Sequence, residues 1–168
     1  MDEELIQFRA SLNAESGDKN YFEFEQDFME NNMRCIPMLV RFKLDTVGIK
    51  LKIREWSRFS LDERIELALK SCTTPEEIKK YRNELRDLIK KYTAAEATVL
   101  NIDFNPGWKS VELIPEALQM KAAEFGWKIK LPKWKSLNNL QRFALLKLCR
   151  PGHENVNFPK AYREFGMI

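Results

Sequence analysis

"IPMLVRFKLDTVGIKLKIREWSRFSLDERIEL", Ile36 to Leu67, returns 78 residues later as "IPEALQMKAAEFGWKIKLPKWKSLNNLQRFAL", Ile114 to Leu145. Laid together without gaps, Ile36, Pro37, Lys43, Gly48, Lys50, Lys52, Trp56, Arg64 and Leu67 fall on Ile114, Pro115, Lys121, Gly126, Lys128, Lys130, Trp134, Arg142 and Leu145. Ordinary residue usage gives roughly two such identities over a stretch of this length. Similar pairs, such as Val40 with Leu118 and Leu51 with Ile129, add to them. The chain therefore reads as an internal duplication, with repeats at 36–92 and 114–168.

Each repeat carries the same local chemistry. Pro37 and Pro115 open a helix, where proline forfeits no hydrogen bond it could have made. Gly48 and Gly126 close it, supplying the positive φ that a helix end often needs. "IKLKI" and "WKIKL" then alternate with period two, which predicts a short half-buried strand in each repeat. Trp56 and Trp134 follow as core anchors. Ser60 with Glu63, and Asn138 with Gln141, form capping boxes that start the next helix. Lys43 and Lys121 fall on the apolar face of their helices, where a lysine either snorkels along its stem or pairs with a buried carboxylate.

Outside the matched segments, Thr74, Pro75 and Glu77 start an amphipathic helix with a stripe of Ile78, Tyr81, Leu85, Leu88, Ile89 and Tyr92. The run from about Asn138 to Arg150 is apolar on most sides, so it reads as a buried central helix. A short helix near Pro159 to Phe165 ends the chain, residues 93–111 read as loop, and "YFEFEQDF" reads as a docked strand or extended arm. The expected architecture is mainly α: an internally duplicated helical domain of six or seven helices, with two short β-strands meeting near a pseudo-twofold axis. Residues 1–19 read as a mobile polar tail and 20–168 as a single globular domain.

Hydrophobic content of 44% and charged content of 32% fit an ordinary globular chain. No apolar run reaches the roughly 18 residues of a membrane span, and no secretory signal opens the chain. The three cysteines, Cys35, Cys72 and Cys149, lack paired spacing, which fits a reducing cytoplasm better than a disulfide framework. A net charge of +3 permits an acidic partner without suggesting bulk nucleic-acid binding.

Several constellations carry possible chemistry. "CRPGHENVNF", Cys149 to Phe158, holds the only histidine, His153, beside Glu154. A histidine next to a carboxylate is a candidate general base, but adjacent side chains usually diverge and no nucleophile is placed by a motif. The stretch reads better as a polar helix junction or docking turn. Cys35, Cys72, Cys149 and His153 lack the close ligand pairs of a zinc site. Lys50, Lys52 and Arg54, with Lys128 and Lys130 at the equivalent places, line one face of the expected strands and form a basic patch if the strands meet. Lysines on edge strands also serve simply to block edge pairing. Walker A, GxGxxG and HExxH patterns are absent from the sequence.

The segments "FEFEQDF", "RCIPMLVRFKLDTVGIKLKIREW", "CTTPEEIKKYRNEL" and "LQRFALLKLCRPGHENVNFPKAYREF" resemble the nitrate-reductase-associated protein family. Members of that family are small cytoplasmic proteins linked to producing active assimilatory nitrate reductase. The resemblance implies a protein partner, a molybdenum-cofactor nitrate reductase, and an accessory or maturation role; it supplies no catalytic residues. The expectation is a non-enzymatic, cytoplasmic factor without cofactor or metal. Its partner surface is expected at Lys50, Lys52, Arg54, Lys128, Lys130, Arg150, His153, Glu154, Asn155 and Asn157. Pro37, Lys43, Gly48, Trp56, Pro115, Lys121, Gly126 and Trp134 are expected to be structural. The alternatives are a nucleic-acid-binding module on the basic strands, or an enzyme using His153 with Glu154 or Lys43.

Overall fold

The computed structural model describes Glu3 and residues 21–168, without the side chains of His153 and Glu154. The tail expected at 1–19 thus lies, Glu3 apart, outside the described residues. The chain divides into two compact units, 1–102 and 103–168, and the division falls in the segment that joins the two repeats.

In the first unit a 3-10 turn, Glu23–Glu25, runs into α1, Gln26–Glu30. The buried Glu25 carboxylate accepts from Met38 N at 2.8 Å, satisfying a first-turn donor of α2, Met38–Val47. Gly48 ends α2 at φ 70°, and its N–H bonds to Leu44 O at 2.9 Å. β1, Ile49–Lys50, leads to α3, Ile53–Trp56, and α4, Leu61–Leu69, which starts on the Ser60–Glu63 capping box. α5, Pro75–Thr93, starts on Thr74 and Glu77. β2, Thr98–Val99, pairs antiparallel with β1, Ile49 opposite Val99 and Lys50 opposite Thr98. Val40, Val47, Ile65, Tyr81, Leu85 and Ile89 are fully buried and close this core, each aliphatic side chain contributing about 1.5–3 kcal/mol.

The second unit has a 3-10 turn at Gly107–Lys109, then α6, Glu116–Ala123, α7, Leu131–Ser136, and α8, Asn139–Leu148. A further 3-10 turn, His153–Asn157, precedes α9, Phe158–Glu164. α8 is the centre of this unit: Phe143, Ala144, Leu145 and Leu148 are buried, and α6, α9 and both 3-10 turns pack on it. That matches its apolar sequence.

The two tryptophans at matched positions sit in the same kind of cage. Trp56 is fully buried, donates its indole N–H to Met33 O at 2.7 Å, and lies under Arg64 at 5.7 Å. Trp134 is equally buried, donates to Ser110 O at 2.9 Å, and lies under Arg142 at 5.8 Å. Each guanidinium is held by carbonyl oxygens: Trp56, Ser57 and Asn32 for Arg64, Trp108 and Leu137 for Arg142. A buried guanidinium without such acceptors would be strongly disfavoured. The matched glycines also agree, with φ of 70° at Gly48 and 72° at Gly126.

Five expectations need correction. The described residues hold nine α-helices rather than six or seven, because short turns such as Gln26–Glu30 and Ile53–Trp56 are helical too. Residues 127–130 form no strand, and β1 pairs with Thr98–Val99, so the pairing of two repeat strands across a pseudo-twofold axis is replaced by a two-residue ribbon inside the first unit. The alternation in burial is real, since Ile49, Leu51 and Ile129 are buried and Lys50, Lys128 and Lys130 exposed. However, Lys52 and Lys130 are the extended N-caps of α3 and α7, and an extended lead-in to a helix alternates just as a strand does. The segment 93–111 is not all loop, because it carries β2 and the 3-10 turn. "YFEFEQDF" is helical over Glu23–Glu30 rather than extended, fixed by the reach of Glu25 to the start of α2. Pro37 and Pro115 stand at the N-cap rather than inside the first turn.

Candidate functional site

The expected partner surface is split between the two units. In the first, Lys50 and Arg54 are exposed, while Lys52 is half-buried and lies 4.0 Å from the buried Glu55 carboxylate. In the second, Lys128, Lys130 and Arg150 are exposed, and Asn155 and Asn157 are half-buried on the 3-10 turn before α9. The side chains of His153 and Glu154 lie outside the described residues.

Charge separates the units. Residues 103–168 hold eleven Lys and Arg against six Asp and Glu, a formal +5; residues 1–102 hold seventeen against nineteen, a formal −2. The mild overall charge conceals this asymmetry.

The second unit also contains a ring cluster that sequence reading missed. Trp127 stacks on Phe125 at 4.8 Å and on Tyr162 at 4.6 Å, with interplanar angles of 18° and 13°. Phe158 touches both flanking rings, at 6.0 Å from Phe125 and 5.7 Å from Tyr162. Arg163 lies 5.5 Å over Trp127, and Lys121 lies 5.7 Å over Phe125 while pairing with Glu124 at 2.7 Å. The signal was in the sequence: Phe158 and Tyr162 are four apart on one helix face, as are the core positions of any amphipathic helix.

Lys43 is the other site with unusual chemistry. Its Nζ donates to Ala68 O at 2.5 Å and Lys70 O at 2.7 Å, capping the last carbonyls of α4. Its partners are thus backbone oxygens, not a carboxylate. The ammonium lies 5.9 Å from the Tyr81 ring centroid. Burial lowers Lys43 to about 8, with the nearby Cys72 opposing that shift. Burial also holds the Cys72 thiol and the Tyr81 hydroxyl above their usual ranges, and Tyr81 donates to Leu67 O at 2.8 Å. Cys149 is likewise raised by burial and donates to Leu146 O at 3.1 Å. Thiols in this state are poor nucleophiles and poor metal ligands. Among the described residues no three His, Cys, Asp or Glu come together as a metal would need.

The profile of the conserved nitrate reductase-associated protein family matches residues 21–165, and the chain belongs to that family. The match covers both units. No curated protein and no solved structure matches the chain. Among the described residues no helix is long and apolar enough to cross a membrane.

Proposed function

We propose that this chain is a non-enzymatic, cytoplasmic accessory factor that binds nitrate reductase and supports its maturation or stability. The observation that carries this reading is membership of a family whose name associates it with nitrate reductase. The exposed lysines of the second unit supply a surface on which an acidic partner can dock. Lys43 is engaged with two carbonyls and burial raises the thiols of Cys72 and Cys149, which speaks against these three groups as nucleophiles. Charge reversal at Lys50, Lys52, Lys128 and Lys130 is expected to weaken co-purification of the reductase of the same host by about tenfold or more. Unchanged co-purification together with unchanged reductase activity would sink the assignment.

The nucleic-acid reading keeps one supporting observation, the +5 charge of residues 103–168. Three of the four tryptophans are poor platforms for bases: Trp56 and Trp134 are fully buried, and Trp127 is stacked on two other rings, while Trp108 is half-buried. Binding through lysines alone would be steeply salt-dependent and would vanish first at physiological ionic strength.

A further inference from the structure

The stretch 127–133 lies against α9 within the second unit. The Trp127–Tyr162 stack holds one end, and at the other Lys133 Nζ reaches to 4.0 Å from where a side chain at Gly166 would begin. Lys128, Lys130 and Lys133 from that stretch thereby join Lys160 and Arg163, which are three apart on the outer face of α9. All five are exposed, and among the described residues no carboxylate pairs with any of them. Glu164, the one acidic residue on α9, is half-buried. Like charges gathered without counter-charge repel one another, and the cost is recovered when an acidic group arrives.

At the edge of this basic group stands Phe125, 41% exposed, its other side stacked on Trp127. Aromatic residues and arginine are enriched at the centres of protein interfaces, and lysines at the rim steer an acidic partner toward them. Trp127, Phe158 and Tyr162 are occupied by ring contacts with one another and with Phe125, so of this cluster Phe125 alone offers an exposed ring, too little for the run of stacked bases that single-stranded nucleic acid favours. We infer that Lys128, Lys130, Lys133, Lys160 and Arg163, with Phe125 as apolar anchor, form a docking surface for an acidic protein segment that carries an apolar side chain. This rests on the accessory-factor reading only for the identity of the partner. It moves the contact away from Lys50, Lys52 and Arg54 and onto the second unit alone.

The test uses the full chain with Lys128→Glu, Lys130→Glu and Lys160→Glu combined, and a control carrying Lys50→Glu and Arg54→Glu. Two probes are titrated by fluorescence anisotropy at about 50 mM salt, where screening is weak: a labelled peptide of repeated Glu-Glu-Phe, and a single-stranded RNA of similar length. Binding of the host's nitrate reductase is measured separately. The triple variant should bind the acidic peptide about tenfold or more weakly, with the control within about twofold of the wild type. If circular dichroism shows that the triple variant is unfolded, the same three lysines are changed to glutamine, with the same loss expected. Equal binding by wild type and folded variant, a larger loss in the control, no binding of the peptide by wild type, or tighter binding of the RNA would each overturn the surface. If the peptide binds and the reductase does not, the surface stands and the accessory reading falls. If the reductase binds wild type and triple variant equally, the reading stands and the surface falls.

Discussion

At the scale of single residues, polar side chains in this chain are spent on backbone. The carboxylate of Glu77 accepts from the N–H groups of Thr74 and Thr73 and from the hydroxyls of Thr73 and Ser71, at 2.7 to 3.0 Å. These bonds favour the ionised form and hold it at about 2, well below the usual carboxylate range. A group lowered in the fold contributes stability that is complete above its ordinary value near 4.5 and lost as pH falls toward about 2. Glu77→Gln should therefore flatten the acid side of the stability profile in that window, read by circular dichroism against denaturant at several pH values. Lys43 has the opposite sense. The fold lowers it from 10.5 to about 8, so between those values the folded chain gives up its proton before the unfolded chain does. Stability from this group should rise with pH across that interval, and Lys43→Met should abolish the rise. A neutral amine still has two N–H groups for the two carbonyls, so deprotonation costs neither bond. Neither lysine partner was legible in the sequence. The helical wheel placed Lys43 on an apolar face but gave no sign that the end of α4 would arrive there.

At the scale of elements, capping chemistry was the most legible signal. Ser60 with Glu63, Thr74 with Glu77 and Asn138 with Gln141 all start helices as read, because a capping box is settled within four residues. The alternation in "IKLKI" and "WKIKL" misled, because a strand exists only where a second segment supplies its ladder, and that segment is remote in sequence. Thr98–Val99 carries no period of its own. At an offset of one residue less, Cys72, Tyr81 and Leu85 fall on Cys149, Phe158 and Tyr162, which sets the sequence of α9 against that of the middle of α5. The two glycines that follow the matched helices separate backbone conformation from crowding. Both have φ near 70°, where alanine costs roughly 1–2 kcal/mol. At Gly126 an added Cβ meets nothing within 4 Å, whereas at Gly48 it would lie 2.9 Å from the Leu100 carbonyl oxygen and 2.8 Å from Ile102 Cγ1. Gly126→Ala should thus cost about the conformational term alone, and Gly48→Ala should cost clearly more and loosen the β1–β2 pair. Equal losses in chemical denaturation would contradict that crowding.

At the scale of the whole molecule, the two units differ in charge as well as in sequence. The Trp–Arg cage and the positive-φ glycine recur in both units. What differs between them is the third helical segment and the surface: the first unit spends its lysines and arginines near carboxylates, as at Lys70–Glu84, Arg34–Asp27 and Lys91–Glu63, while the second leaves several uncompensated. The overall charge of +3 hid this, and only the division of the chain brings it out. Residues 100–106, around the division, form neither helix nor strand. Phe104, 81% exposed on a bend just past the division, is an open target for chymotrypsin. Within residues 21–168 its cleavage should precede that at other aromatic residues, giving fragments that end and begin at this point, identified by mass spectrometry. Earlier cleavage after Trp127 or Tyr162 would contradict the packing of the ring cluster.

The two caged tryptophans have a consequence for observing this chain at work. Each unit contains one indole proton sealed from water, that of Trp56 against Met33 O and that of Trp134 against Ser110 O. Such a proton can be replaced by deuterium only when its surroundings open. The two resonances therefore act as separate clocks inside the undivided protein. A partner that grips the second unit alone should slow the Trp134 clock and leave the Trp56 clock running at its own pace.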